Sequence, residues 1–404
     1  MRRTLLACLS LTHCALLALV GGCTVTSSKT VSDAGAPAAD AAAPDAAPQG
    51  DGSTSTLGFT PSNIDLSGLD LSAVGDIDIT TNCTFNSEID QQLCGDDAKM
   101  KFKTVTQANN IKVGVYVARS FRVEPNAVVT IAGNAPIVFV ALDKIDVLGG
   151  IVGAGKQDSA IAGGYTPTGQ NAKGGGPGGG LAGTNTSAAG GGSYCGLGGS
   201  GAVETGTGPG SMGGAAYGTP EITPLVGGSS GGTGDVGGGG AGGGGIQLVA
   251  ANSISVPAGG YLHVGGGGGT FGGAAGGQEA SGGGSGGSIL FESLTVTIAG
   301  ILAANGGGAG EGAGGNEGAN ATPNDQPALG GTDPVRGSAG GNGSAAASTK
   351  GTDGAVKMGS TAGGGGGGAG RIRVNTKSGM ATLTGAKLSP AVSTTCVTQG
   401  IVRP

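Results

Sequence analysis

Four stretches of this chain alternate apolar and polar residues: PIVFVALDKIDVLGGIVGAG at 136–155, GGIQLVAANSISVPAGGYLHVGGGG at 244–268, GGSGGSILFESLTVTIAGILAANGGGAG at 283–310 and GAGRIRVNTKSGMATLTGAKL at 368–388. Each opens with alternation, passes a break of small residues, resumes alternation and returns to glycine; the third and fourth do so more loosely. In the first two, eight residues separate Ile137 from Ile145 and Ile246 from Ile254. Period-two alternation rich in Val, Ile, Leu and Thr predicts strands with one buried face. Upstream, NIKVGVYVARSFRVEPNAVVTIAG at 110–133 predicts two further short strands, and NIDLSGLDLSAVGDIDIT at 63–80 a cap at the start of the stack. Helical periodicity is missing after the first 22 residues, and glycine at this density opposes it.

The expected class is all-β. Short strands with a turn residue between them suit a sandwich or a parallel solenoid. Intervals between the blocks are very unequal, and a solenoid lets loops of any length leave one corner while the stack continues. A parallel β-helix is therefore expected over residues 57–404, with glycine-rich excursions at about 149–243, 265–287 and 306–370. The stretch from Ile111 through Gly155, in the wording RVEPNAVVTIAGNAPIVFVALDKIDVLGGIVGAG, resembles the right-handed parallel β-helix (pectin-lyase-like) segments of surface proteins from double-membrane bacteria. That resemblance implies a fold and a setting and brings no catalytic motif.

The chain holds 95 glycines. Glycine loses more backbone entropy on ordering than any other residue, which favours floppy linkers. Against that, the excursions carry few charges, whereas disordered segments are kept apart by charge and polarity. The first excursion also contains Tyr194-Cys195 and TPEITPLVGG. Strict Gly-X-Y is absent, so collagen is excluded. The alternative is a bundle of extended polyproline-II-like (polyglycine-II) helices, each backbone donating to its neighbour, where any side chain prevents close approach. Similar glycine-rich bundles occur in some phage adhesins and receptor ectodomains.

The first residues, MRRTLLACLSLTHCALLALVGGC, set Arg2 and Arg3 before an apolar run from Leu5 to Val20. This is the pattern of a secretory signal over 1–22. Val20-Gly21-Gly22-Cys23 resembles the lipobox of bacterial lipoproteins, with Val20 where Leu is usual and Gly21 where Ala or Ser is. The resemblance implies cleavage before Cys23 and acylation of Cys23. Thr24 is not the Asp that retains such proteins at the inner membrane, so it implies an outer-membrane or cell-surface address. Acyl chains contribute about 0.8 kcal/mol per buried methylene, and the membrane is the first expected partner. Residues 24–56, rich in Ala, Pro, Asp, Ser and Gly, bury too little to fold alone and read as a disordered tether.

Without Arg2 and Arg3 the 20 basic residues fall to 18 against 26 acidic, a balance of −8 that argues against nucleic acid. No Trp, five Tyr and seven Phe leave few rings for stacking on sugars. Once the signal is removed His263 is the only histidine, and it reads as a strand-face side chain. Four cysteines remain: Cys83, Cys94, Cys195 and Cys396. An even number in an exported chain reads as disulfides, with three connectivities open. Cys83 with Cys94 and Cys195 with Cys396 is the favoured set. The first pair closes the short loop CTFNSEIDQQLC, for about 3 kcal/mol, and the second would tie a glycine-rich excursion to the carboxyl end.

Several motif matches fail on their chemistry. Gly150–Lys156 copies most of a phosphate loop, but Gln157 stands where Ser or Thr would hold magnesium. GGTGDVGGG at 231–239 is a single degenerate copy of a calcium nonapeptide. Asp143 and Asp146, three apart in a strand, are expected on opposite faces and so form no acid and base pair. Arg371 and Arg373 share a strand face and read as solvated charges beside the last coil, or as an anionic glycan contact. No catalytic, cofactor-binding or metal-binding residue is assigned. The expected function is a non-catalytic surface lipoprotein for structural or adhesive display, with a surface polysaccharide or protein as partner. The alternative is a polysaccharide lyase or hydrolase, for which Asp143, Lys144, Arg371 and Arg373 would have to converge. Ice binding ranks third, on Thr295-Val296-Thr297 and Thr382-Leu383-Thr384 alone.

Overall fold

The computed structural model describes residues 57–94, 97–108, 110–204, 209–273, 279–333, 338–356 and 362–404. The expected signal segment (1–22), Cys23 with its acylation, and the tether to residue 56 lie outside the described residues. The strands are β1 (Asp76–Ile79), β2 (Cys83–Asn86), β3 (Lys101–Thr106), β4 (Lys112–Ala118), β5 (Ser120–Val123), β6 (Val128–Ala132), β7 (Ile137–Ala141), β8 (Lys144–Val147), β9 (Gly150–Val152), β10 (Gly245–Val256), β11 (Tyr261–His263), β12 (Ser288–Ile298), β13 (Ile301–Ala303), β14 (Arg371–Thr376), β15 (Lys387–Ser389) and β16 (Val397–Ile401). One 3-10 turn, Asp97–Lys99, is the only helical element among the described residues. The fold is all-β and nearly all parallel: of the pairings between these strands only β3 with β4 is antiparallel.

The strands form a sheet of ten and a sheet of six. Successive passages of the chain are laid beside one another in register. Ile137 pairs with Ile246, Ile246 with Ile289, Ile289 with Ile372, and Ile372 with Val397. Ile145, Ile254 and Val296 form a second row, and Ile151, Leu262, Leu302 and Leu388 a third. Between Ala250 and Ser253 the long strand β10 shifts register, passing from β7 to β8 as its neighbour. The eight-residue spacing seen in the sequence is thus the distance between two rows. Like sits on like because a slip of one residue would turn every one of these side chains outward.

All three rows point into one apolar core, opened by an aromatic group in which Phe85 lies 4.9 Å from Tyr116 and 5.0 Å from Phe139, both edge-on. A second cluster explains why IVFVA in β7 is buried at every position. Val138, Val140, Val249 and Leu290 face away from the main core and are covered by Leu57, Phe59, Ile64, Ile222 and Leu225. A sheet covered on both faces reads as a continuous apolar run.

Two expectations change here. The segment 63–80 is strand only over β1; its earlier part lies across the outer face of the larger sheet, with Leu66, Leu69 and Leu71 against the second cluster. The carboxylates of Asp65 and Asp70 accept from the N–H groups of Ser67 (2.8 Å) and Ser72 (3.0 Å), and such turns interrupt a strand. Upstream, 110–133 holds three strands, β4 to β6, because the chain breaks at Arg119, whose N–H donates to the Gly75 carbonyl at 2.8 Å.

The glycine tracts run straight out of the strands. Residues 281–287 lead into β12, 363–370 into β14, and β11 and β13 continue into 264–269 and 304–310. Both 281–287 and 363–370 are buried throughout. Their hydrogen bonds repeat every three residues. Gly282 donates to Gly232 and Ser285 to Ser229, at 2.9 Å each; Gly283 to Gly365 and Gly286 to Gly368, at 3.0 Å each; Gly284 to Gly267 at 2.9 Å and Gly287 to Val264 at 2.7 Å. Three consecutive N–H groups therefore serve three different neighbours. The second tract behaves alike: Gly364 and Gly367 donate to Gly310 and Gly307, Gly365 and Gly368 to Ala189 and Gly192, Gly366 and Ala369 to Thr352 and Thr349. A Cβ on Gly283 would overlap the Gly307 carbonyl oxygen, and one on Gly365 that of Gly199. These backbones approach as closely as only glycine permits.

Disulfides join Cys83 to Cys94 (Cα atoms 5.0 Å apart) and Cys195 to Cys396 (5.7 Å). The first closes a turn in which Leu93 donates to the Thr84 carbonyl at 2.8 Å, so the open edge of β2 is covered by its own return segment. The second ties the first glycine excursion to the residue before β16, which pairs with β14.

Candidate functional site

One part of the larger sheet has a single buried face. In β1, β5, β8 and the second halves of β10 and β12, alternate residues point to the core (Ile77, Phe121, Ile145, Ile254, Val296) and to solvent. Parallel register lines the outward residues into two rows. One is Asp76, Ser120, Lys144, Ser253, Thr295; the other is Asp78, Arg122, Asp146, Ser255, Thr297, prolonged by the bridge from Thr297 to Thr382. Neighbours lie about 4.8 Å apart across strands and about 6.6 Å along them. Charges occupy one end of this face and hydroxyls the other.

The charged end opens into a cleft of about 370 Å³ lined by Asp76, Asp78, Asp143, Asp146, Arg119, Arg122 and Lys144. Arg119 donates Nε to Asp76 Oδ1 at 2.7 Å and Nη2 to Asp76 Oδ2. That bond, then one from Ser120, holds the Asp76 carboxyl below the usual carboxylate range. Arg122 Nε meets Glu124 Oε1 at 2.6 Å, while Arg122 Nη1 and Lys144 Nζ stand 3.8 and 3.4 Å from Asp146 Oδ2. Such exposed pairs contribute about 0–1 kcal/mol each, so they order the surface more than they stabilise the fold. The face presents a grid with charges at one end and hydroxyls at the other, suited to many weak polar contacts with an extended ligand.

Asp143 and Asp146 do not lie on opposite faces as expected. The chain turns between β7 and β8, so Asp143 lies outside both strands, and its carboxylate accepts from Asn252 Nδ2 at 2.8 Å. Both aspartates border the same cleft, with Lys144. Among the described residues no group of three or more His, Cys, Asp or Glu is placed to hold a metal ion.

No protein-family model, curated protein or solved structure matches this chain.

The remaining candidates are dispersed. Arg371 and Arg373 stand on β14, away from the cleft, and are half-buried rather than solvated. β14 is not the last strand, since β16 pairs beyond it. His263 is buried on β11, its Nε2 3.1 Å from the Ala321 carbonyl of the third excursion, and burial pulls its pKa down to about 4. Gly153 and Gly155 spend their N–H groups on the His263 and Gly265 carbonyls, so the phosphate-loop look-alike cradles nothing. Asp235 of the calcium look-alike accepts from the Glu279 N–H at 3.3 Å. Thr295, Thr297 and Thr382 do meet, joined by Ser253 and Ser255.

A buried polar group went unnoticed in the sequence. Glu292 accepts from Ser62 N–H (2.7 Å), Ser62 Oγ (2.8 Å), Gln247 Nε2 (2.8 Å) and Asn375 Nδ2 (3.1 Å). Its signal was present: Gln247, Glu292 and Asn375 each interrupt the apolar opening of β10, β12 and β14.

Proposed function

We propose that this protein is a non-catalytic cell-surface lipoprotein, moored through acylated Cys23 and a tether, whose body is an adhesive or structural display module. In this reading the strands form a right-handed parallel β-helix, and the glycine tracts form a polyglycine-II array growing from its side. The row-on-row register of Ile137, Ile246, Ile289 and Ile372 supports the first. The rotation of donors among three neighbours in 281–287 supports the second, because a helix of three residues per turn sends successive N–H groups in three directions. The observation that carries the function is the pair of outward polar rows on a flat, multiply braced sheet, a surface that can hold an extended polar polymer without closing around it. Few aromatic rings limit stacking, so the contacts would be hydrogen bonds and ion pairs repeated along the polymer.

A polysaccharide-cleaving reading is favoured by one observation, the meeting of Asp143, Lys144 and Arg119 in an open cleft. Both are tested by incubating soluble protein beginning at Thr24 with acidic and neutral polysaccharides, following cleavage products and retained protein. Retention without cleavage is expected; turnover would replace the adhesive reading with the enzymatic one. Anchoring is tested separately, by metabolic labelling with a radioactive fatty acid. Label on the intact chain and none on the Cys23→Ser variant is expected, and label on neither would remove the mooring.

A further inference from the structure

The two arginines of β14 are held as a binding fork is held. Starting from the interior, the Glu292 carboxylate takes four hydrogen bonds and so fixes Asn375 through its Nδ2. Asn375 then presents Oδ1 to Arg373 Nε at 2.7 Å. The Arg373 guanidinium lies against the main chain of Gly400 in β16, where any Cβ would overlap Nη2. Nε is thus committed and Nη2 is set against the Gly400 main chain, and no described carboxylate forms an ion pair with this side chain. Arg371, two residues along the same face and about 6.6 Å away, donates Nη2 to the Tyr217 and Gly218 carbonyls at 3.1 Å each. Its guanidinium carbon stands 5.6 Å from the Tyr194 ring centre, and its buried Nε has no acceptor. Neither guanidinium can lose its proton. Two half-buried permanent cations are therefore braced side by side beside the outer edge of the sheet, with no carboxylate in contact and with Glu221 acting on both, and Glu292 on Arg373, from farther off.

We propose that Arg371 and Arg373 form an oxyanion site that takes the carboxylate or sulfate group of an acidic polysaccharide, with Arg373 as the fork and Asn375 and Glu292 as its positioning residues. A planar guanidinium fixed at Nε offers its remaining N–H groups to an oxyanion with little further ordering. The small-ion part of the proposal stands by itself; the polysaccharide as natural source rests on the adhesive reading above.

The test has two arms on the soluble folded chain. In the first, sodium sulfate is compared with sodium chloride at equal ionic strength, reading Tm for the wild type, Arg373→Gln and Arg373→Lys. Sulfate should raise wild-type Tm relative to chloride by about 2 °C more than it raises that of Arg373→Gln, whose remaining rise is the general effect of sulfate, and Arg373→Lys should keep less than half of that excess. An equal response in wild type and Arg373→Gln overturns the site. In the second arm, polygalacturonate, a sulfated glycosaminoglycan and dextran are compared for retention. The acidic polymers should bind at least ~10-fold more tightly than dextran, with Arg373→Gln losing about that factor. Acidic polymers held equally well by Arg373→Gln would sink the site and leave adhesion standing. A sulfate effect without retention of any polymer would sink adhesion and leave the site.

Discussion

The strand stack and the glycine array bury backbone by opposite means. In the stack, neighbouring strands are held in one plane and rows of Ile, Leu, Val and Phe fill the space between sheets. In the array, each tract bonds to three neighbours and the space between them is too small for a methyl group at Gly283 or Gly365. The stack draws its stability from apolar area removed from water. The array has almost none to remove, and relies on main-chain hydrogen bonds and dense packing of the peptide units, at the highest conformational entropy cost any residue carries. Such an array needs an ordered template. The strands supply it, since β10, β12 and β14 each emerge from one tract and β9, β11 and β13 each feed another.

If that contrast is right, adding one side chain should harm the array more than removing one harms the stack. Gly283→Val should cost more than ~4 kcal/mol in denaturant unfolding and leave the amides of 281–287 and 363–370 freely exchanging. Exchange as slow as in the wild type would show that the tracts do not touch. Phe291→Ala, which empties a fully buried position of the stack, should cost about 3–5 kcal/mol while array amides stay protected up to the global transition.

The disulfides should divide along the same line. Replacing Cys195 and Cys396 by Ser opens a closure spanning 201 residues and should cost about 5 kcal/mol, with faster exchange chiefly in the first excursion. Replacing Cys83 and Cys94 should cost about 3 kcal/mol and act on the start of the stack. The reverse distribution would mean that the long closure braces the strands instead.

The smallest effect concerns pH. His263 is drawn down from 6.5 to about 4 by burial, so the stability it allows is complete above pH 6.5 and falls as pH drops toward 4. Glu279, buried where its Oε2 accepts from the Ala362 N–H at 2.7 Å, is drawn up from 4.5 to about 7 by burial. Its contribution is complete below pH 4.5 and falls as pH rises to 7. The slopes oppose each other, so wild-type stability should be nearly flat between pH 4.5 and 6.5. Glu279→Gln should uncover a rise with pH across that window, of at most about 1.4 kcal/mol per pH unit, and His263→Gln a fall. Equal slopes in both variants would mean that burial shifts neither group.

Much of the fold was legible because it is periodic. The apolar alternation marked β7 to β12 by type and position, and the eight-residue spacing marked the two rows of the larger sheet. Where the chain departs from periodicity, local reading failed for physical reasons. Asx turns at Asp65 and Asp70 converted a strand-like pattern into a covering segment. The turn at Asp143 brought two aspartates to one cleft that alternation assigned to opposite faces. The Glu292 group was missed because its members come from segments up to 230 residues apart, and a polar residue interrupting one apolar opening does not say which distant ones it meets.

Short-range chemistry was readable from the residues alone: alternation makes strands, glycine at high density opposes helix, and an even set of four cysteines pairs into disulfides. Which glycine meets which, which half of β10 is covered on both faces, and that Arg373 is braced by Asn375 beside Gly400 were decided only by tertiary structure. The reason is physical: main-chain groups are chemically alike at every glycine, so a tract carries no label naming its neighbours. Only the strands at its ends, fixed in register by side chains that do differ, determine where it is laid down.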